Sequence, residues 1–297
     1  MRIESLRSSL AYFPDLSGFW QIDNLPATAL KIRALLVEQP SRSIELLIQL
    51  ARVRGLQGDL IEAQAHLQQA KMQMAEESPV SPNKLSYLLE NGRILLLSMS
   101  PRSAEPMFRK AWEMAIQSGQ DFFAIDAALM LSRLLPVKSQ KIWFQRARQL
   151  VQQSKNAEAK LWQGQLNLMA GWLAFDLHRF DDALLNFEAA IVESEANAGH
   201  ATLFPMLWGK ARVLRALGRI SEAMTLQLAI LDRMQTLGAV NGHVYLELAE
   251  CNQLLKKHEE ARAFFELAHT ALSTDGWFVD NHSDELDRMK YIFKKRH

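Results

Sequence analysis

The sequence predicts an all-α fold made of stacked helix pairs, and three observations carry that prediction. Of the 297 residues, 46 are Leu and 36 are Ala, both strong helix formers. Only 9 Pro and 13 Gly interrupt the chain, and no Asn-Gly or Asp-Gly sits between alternating apolar runs as a hairpin would require. The breakers also recur. Pro40, the Pro79/Pro82 pair, Gly119, Gly199, Gly238 and Gly276 leave intervals of about 40 residues, with one double interval between Gly119 and Gly199. A fixed period of this size marks a repeat array, in which each unit buries its apolar face only against its neighbours.

Taken in order, residues 26–39 read as a helix opened by Pro26 in its first turn. Residues 1–25 leave room for one further short helix, so residues 1–40 are expected to form an N-terminal capping segment. The array then spans residues 41–272. Its expected pairs are 42–56 with 60–76, 82–98 with 102–118, and 121–135 with 138–153, then 157–176 with 180–196, 201–216 with 220–236, and 240–255 with 258–273. Residues 273–297 hold a C-terminal capping helix, begun by the Asn281-His282-Ser283-Asp284-Glu285 capping signal, and a short basic tail that includes Lys290, Lys294, Lys295 and Arg296.

A short motif fixes the phase of the repeats. A tight turn is followed by Ala, by a bulky residue four positions later and by Ala three after that. Ala63, Leu67 and Ala70 fit, as do Ala183, Phe187 and Ala190, and Ala261, Phe265 and Ala268. Ala223 is followed by Gln227 and Ile230. Ala104 with Phe108 and Ala111 is a weaker copy, and Gln140 with Phe144 and Ala147 is weaker still. The anchors 63, 104, 140, 183, 223 and 261 are 41, 36, 43, 40 and 38 residues apart. Twelve residues before each stands a small residue: Ala51, Gly92, Ala128, Gly171, Ala211 and Ala249. Small residues on facing helices permit close approach, and the bulky residue one turn on fills the gap between repeats.

This pattern resembles the tetratricopeptide repeat (TPR) family over residues 41–272. The resemblance implies a right-handed α-solenoid of about six TPR-like helix pairs with capping helices at both ends. The period departs from the family's usual length of about 34 residues, so each helix is expected to be longer by about one turn. That length is similar to the maltose-activator-type (MalT-like) and peptide-sensing subclass of bacterial regulators.

Composition narrows the function. Lys and Arg number 34 against 33 Asp and Glu, and the 48% hydrophobic, 23% charged balance is that of a globular chain. The charge offers no basic excess for nucleic acid. One cysteine, Cys251, excludes an internal disulfide framework. No apolar run reaches the ~18 to 20 residues that span a bilayer. Met1–Leu10 carries Glu4 and does not read as a secretory signal, so a cytoplasmic protein is expected, with no nucleic-acid and no membrane partner.

Chemistry-bearing motifs are missing. There is no phosphate-binding loop, dinucleotide fingerprint or nucleophile elbow. Lys257-His258-Glu259-Glu260 has Arg262 where a zinc-protease helix needs its second His. His178 with Asp181 and Asp182 is explained by a polar inter-helix turn, and Asp280, His282, Asp284 and Asp287 by an acidic helix start. Cys251 reads as a small core filler. No catalytic residue, no metal ligand and no cofactor is expected, and the chain is not read as an enzyme.

The resemblance implies that first helices line a concave groove. On them Arg52, Arg93 and Arg212 share one phase, Arg215 extends the stripe, and Trp172, Phe175 and Trp208 are interleaved. A guanidinium grips carboxylates with a planar fork and stacks on rings. The expected partner is therefore a protein or peptide with acidic residues or a free C-terminus, held by these seven residues. Against this stands a solvated face balanced by Glu45, Glu90 and Asp126. A scaffold or adaptor is the first expectation, and a sensor array acting through a partner protein is the second.

Overall fold

The computed structural model describes residues 19–20, 24–196, 203–236, 241–275, 278–279 and 282–294. The expected helix within residues 1–25, the breakers Gly199, Gly238 and Gly276, and Asp280, Asn281, Lys295 and Arg296 lie at least in part outside them. Among the described residues every regular element is helical. A leading helix α1 (Leu25–Glu38) precedes the pairs α2 (Ser43–Leu56) with α3 (Leu60–Gln73), α4 (Pro82–Leu97) with α5 (Pro101–Gln117), and α6 (Asp121–Leu134) with α7 (Val137–Gln153). After the short α8 (Ala157–Lys160) come α9 (Gln163–Asp176) with α10 (Phe180–Ala196), α11 (Phe204–Ala216) with α12 (Ile220–Thr236), α13 (Gly242–Leu254) with α14 (His258–Leu272), and α15 (Ser283–Lys294).

The starts are set by caps. The Asn24 side chain accepts from the Ala27 amide at 3.1 Å, with Pro26 in the first turn. Asp59 accepts from Glu62 N at 3.1 Å, and Ser81 from Lys84 N at 3.2 Å ahead of Pro82. Each accepts from an amide that has no partner inside its helix.

The turn inside the pairs is one conformation repeated. Gly58, Met99, His178, Gly218 and Lys256 all have φ between 56° and 87°, and each stands five residues before the buried Ala of its second helix. The next residue's amide reaches back five positions to a carbonyl: Asp59 to Arg54, Ser100 to Leu95, Arg179 to Ala174, Arg219 to Leu214 and Lys257 to Asn252, each at 2.9 Å. This bond closes a helix C-terminus through a left-handed residue. The third pair differs. Leu135 is extended at φ −87°, ψ 160°, because Pro136 follows it and excludes the α region.

By contacts the chain forms two compact units. One holds Met1–Leu166 with Glu193–Thr202, and the other holds Asn167–Val192 with Leu203–His297. In the first, Leu67 and Phe108 are 3% and 0% exposed, and a Cβ added to Gly92 would come within 2.6 Å of the Phe108 ring. In the second, the Phe187 ring stands between Gly171 and Gly209, whose added Cβ atoms would meet it at 3.1 and 2.3 Å. The glycines are thus dictated by the ring beside them.

One expected helix is broken. Residues 157–176 were to be continuous, but the chain turns at Leu161 and Trp162 between α8 and α9. Trp162 is 2% exposed, packs on Phe122 at 5.4 Å between centroids, and its Nε1 donates to the Phe122 carbonyl at 3.0 Å. Seating a large indole in the core and satisfying its N–H outweighs continuing the helix.

Candidate functional site

The two units place the arginine stripe in different surroundings. In the first, α2, α4 and α6 carry Arg52, Glu90, Arg93, Asp126 and Arg133, each at most 6% exposed. Arg52 Nη1 donates to Glu90 Oε2 at 2.8 Å, Arg93 Nη1 donates to the same oxygen at 3.0 Å, and Arg93 Nη2 donates to both oxygens of Asp126. Burial pulls the Arg52 guanidinium below its ordinary value despite the attraction of Glu90. It pulls on Arg93 too, but Asp126 and Glu90 together outweigh it and hold that group above its ordinary value.

This corrects the expectation that Arg52 and Arg93 present a free fork to a ligand. The fork is already filled by the chain's own carboxylates, because an arginine sunk between helices needs a counter-charge. The signal was in the sequence: Glu90, Asp126 and Glu247 all stand two residues before the small anchor of their repeat. An Arg one place after one anchor therefore meets the acid two places before the next.

In the second unit the remaining five residues come together. Trp172 lies 5.3 Å from Trp208 and 5.8 Å from Phe175, centroid to centroid. The Arg212 guanidinium lies over all three rings, at 4.9 Å from Trp208, 5.4 Å from Phe175 and 5.8 Å from Trp172. Arg212 Nε is 3.1 Å from Glu247 Oε1. Arg215 holds the same carboxylate with two bonds, Nε to Oε2 at 2.7 Å and Nη2 to Oε1 at 3.1 Å. Burial works against the charge on Arg215, yet Glu247 keeps its guanidinium above the ordinary value. Glu247 is 4% exposed, whereas the side chains of Arg212 and Arg215 retain 17% and 24%.

Trp208 is the odd member of this cluster. It is 8% exposed, and its Nε1 is buried with no hydrogen-bond partner. An indole N–H removed from water without an acceptor is unfavourable by ~1 to 3 kcal/mol. The patch therefore combines an apolar aromatic wall, a cation laid over it and the buried Trp208 N–H, which lacks an acceptor.

His178 occupies the left-handed turn position, and no group of three ligand-type side chains is gathered among the described residues. Cys251 is 1% exposed, and burial, with Glu247 nearby, pushes its thiol up to about 12. No helix among the described residues is long and apolar enough to cross a membrane.

No protein-family model matches the sequence, and no curated protein does either. Solved structures do. A tetratricopeptide repeat protein from Parabacteroides merdae is 14% identical, with 92% of this chain and 93% of that chain covered and a TM-score of 0.48. NprR in complex with its cognate peptide NprX is 14% identical over 97% of this chain and 82% of that chain, at a TM-score of 0.57. Yeast Tom70 is 14% identical over 97% and 64%, at 0.52. What is shared at such identity is the fold alone: all-α helix pairs stacked as in tetratricopeptide-repeat proteins.

Proposed function

We propose that the protein is a non-enzymatic, cytoplasmic interaction scaffold that binds a peptide or protein segment on the first-helix face of its second unit. Trp172, Phe175 and Trp208 supply the apolar contact, and Arg212 with Arg215 supplies the charge. The observation that carries this reading is the Arg212 guanidinium laid across three rings with 17% of its side chain still exposed. A carboxylate of an extended segment meets the exposed part of the Arg212 and Arg215 guanidinium groups, and a flanking apolar side chain covers the rings. Acidic residues or a free C-terminus suit such a site. Arg52 and Arg93 are left out of the binding set because they are 2% and 4% exposed, whereas Arg212 and Arg215 share the single Glu247 and keep accessible surface.

The test has two stages. A pulldown with mass spectrometry names the partner, and isothermal titration then compares wild type with Trp208→Phe and Arg212→Ala. Trp208→Phe shrinks the aromatic wall under the cation, so binding is expected to weaken about three-fold or more, and Arg212→Ala about ten-fold. Wild-type affinity in both variants ends the proposal.

The second reading is a sensor array whose ligand changes its conformation and so a partner's activity. The likeness in fold to NprR, solved with its cognate peptide, favours it. Small-angle scattering separates the two, since a sensor changes its radius of gyration on binding and a scaffold does not.

A further inference from the structure

The second helices of the first unit carry a feature that the peptide site does not use. Helix α7 contains Lys138, Lys141, Arg146 and Arg148 and no acidic residue. Lys141, Arg146 and Arg148 are exposed, and among the described residues none has a carboxylate within 4.0 Å. Several arginines elsewhere are paired with an acid three residues away: Arg42 with Glu45, Arg179 with Asp182 and Arg219 with Glu222.

The arginines between α5 and α7 are also held in place. Trp112 of α5 and Trp143 of α7 meet edge to face at 5.1 Å. Arg146 lies 4.5 Å over Trp143 and 5.9 Å over Trp112, and Arg109 lies 5.7 Å over Trp143 from the other helix. Arg102 stands two turns before Arg109 on the same side of α5, is exposed, and has no carboxylate within 4.0 Å among the described residues. A guanidinium stacked flat on a ring keeps its N–H edges free and has already lost much of its rotational freedom. Arg146 has no carboxylate within 4.0 Å among the described residues and Arg109 is bonded to Glu105 through Nε, while Ile142 and Ile116 of the same two helices are 52% and 42% accessible.

We infer that the outer face of α5 and α7 is a second docking surface, and that its occupant is an acidic segment of another protein. The charge is complementary to carboxylates, and the fork geometry matches them two bonds at a time. Glu105 shows the pose, holding Arg109 Nε at 2.7 Å. The two isoleucines fit the apolar residues of such a segment. Bases of a nucleic acid would need an open ring face, whereas Trp143 is 6% exposed and covered by two arginines. A lipid surface would need a large apolar side chain to insert, and the aromatic rings here form the floor instead.

The probe is a fluorescein-labelled peptide of alternating Glu and Leu, read by fluorescence anisotropy on the whole protein at moderate salt. Arg109→Ala with Arg146→Ala is expected to weaken binding by at least about ten-fold. Arg146→Lys, which keeps the charge but not the fork or the stack, is expected to weaken it by about three-fold or more. Arg148→Glu touches no ring and repeats the loss if the double variant fails to fold. Every variant is compared in the Arg212→Ala, Arg215→Ala background, which silences the peptide site on the second unit, and that background alone still binds the probe. The inference is overturned if Arg148→Glu and Arg146→Lys both bind as that background does. It is equally overturned if the concave-phase variant abolishes binding, or if an oligothymidylate or phosphatidylserine vesicles bind more tightly than the peptide at the same ionic strength.

Discussion

Phe187, Gly171 and Gly209 form a contact whose energetics predict a reversal of sign. Replacing Phe187, which is fully buried, by Ala is expected to cost ~3 to 5 kcal/mol for the lost transfer energy and the cavity. The edge-to-face contact with Trp172 at 5.0 Å is part of that loss. Gly209→Ala has two opposed effects. The helix gains ~0.8 to 1.0 kcal/mol from the better former. The new Cβ lies 2.3 Å from Phe187 Cε1, and forcing an atom into a packed interior costs ~1 to 3 kcal/mol. The single variant is therefore destabilised, by about 1 kcal/mol. With Phe187 already Ala the clash is gone, and the same Gly209→Ala substitution should stabilise by ~0.8 to 1.0 kcal/mol while its methyl enters the vacated space. Urea unfolding of the four proteins by far-UV circular dichroism gives the coupling. Equal effects of Gly209→Ala in both backgrounds, within ~0.5 kcal/mol, would refute the contact and the repeat alignment behind it.

Three further outcomes are expected. Glu90→Gln leaves Arg52 and Arg93 short of a buried counter-charge and should cost ~3 to 5 kcal/mol in urea unfolding; a loss under ~1 kcal/mol would mean that the pairs are not buried as described. Lys256→Gly relieves a left-handed backbone at φ 59° and should raise stability by ~1 kcal/mol, whereas a lowered melting temperature would contradict the turn geometry. Cys251 titrates near 12 in the folded protein and at about 8.5 when unfolded. The folded state therefore retains a proton that the unfolded state releases, and this contribution to stability is full below about 8.5 and falls as pH rises toward 12. Cys251→Ala should flatten the alkaline loss in that window, measured by melting temperature against pH; an unchanged slope counts against it.

The helix pairs were legible because their determinants are local. Small residues twelve before each anchor and a bulky residue four after it can be read from one strand of text. The break at Leu161 and Trp162 was not, since the acceptor for the Trp162 indole is the Phe122 carbonyl 40 residues away. Nor was the left-handed turn at Met99 and Lys256, where closure of the helix end imposes the conformation without a glycine to announce it. At the candidate site the phase of the arginines gave all seven residues one role, and the acids in the same frame do not divide them, since Arg212 meets Glu247 as Arg52 meets Glu90. Burial divides them: Arg52 and Arg93 are sunk with their acids, whereas Arg212 and Arg215 share one carboxylate and keep 17% and 24% of their side chains exposed. The orphan Trp208 N–H has no trace in the text, because it is defined by what fails to come near it.

The Arg–acid rungs also impose a grammar on the array. Arg52 and Arg93 each reach forward to the acid of the following repeat, Glu90 and Asp126, and in the second unit Arg215 reaches forward to Glu247. Glu90 and Asp126 occupy the same register. Excising one period between them would bring Arg52 against Asp126 and leave the rung intact. Reversing the order of partners, or splicing in a repeat that lacks the acid, would strand a cation in the interior. Duplication and loss in whole periods are thus tolerated at these joints while partial slips are not, so repeat number there can drift without the charges being rewritten.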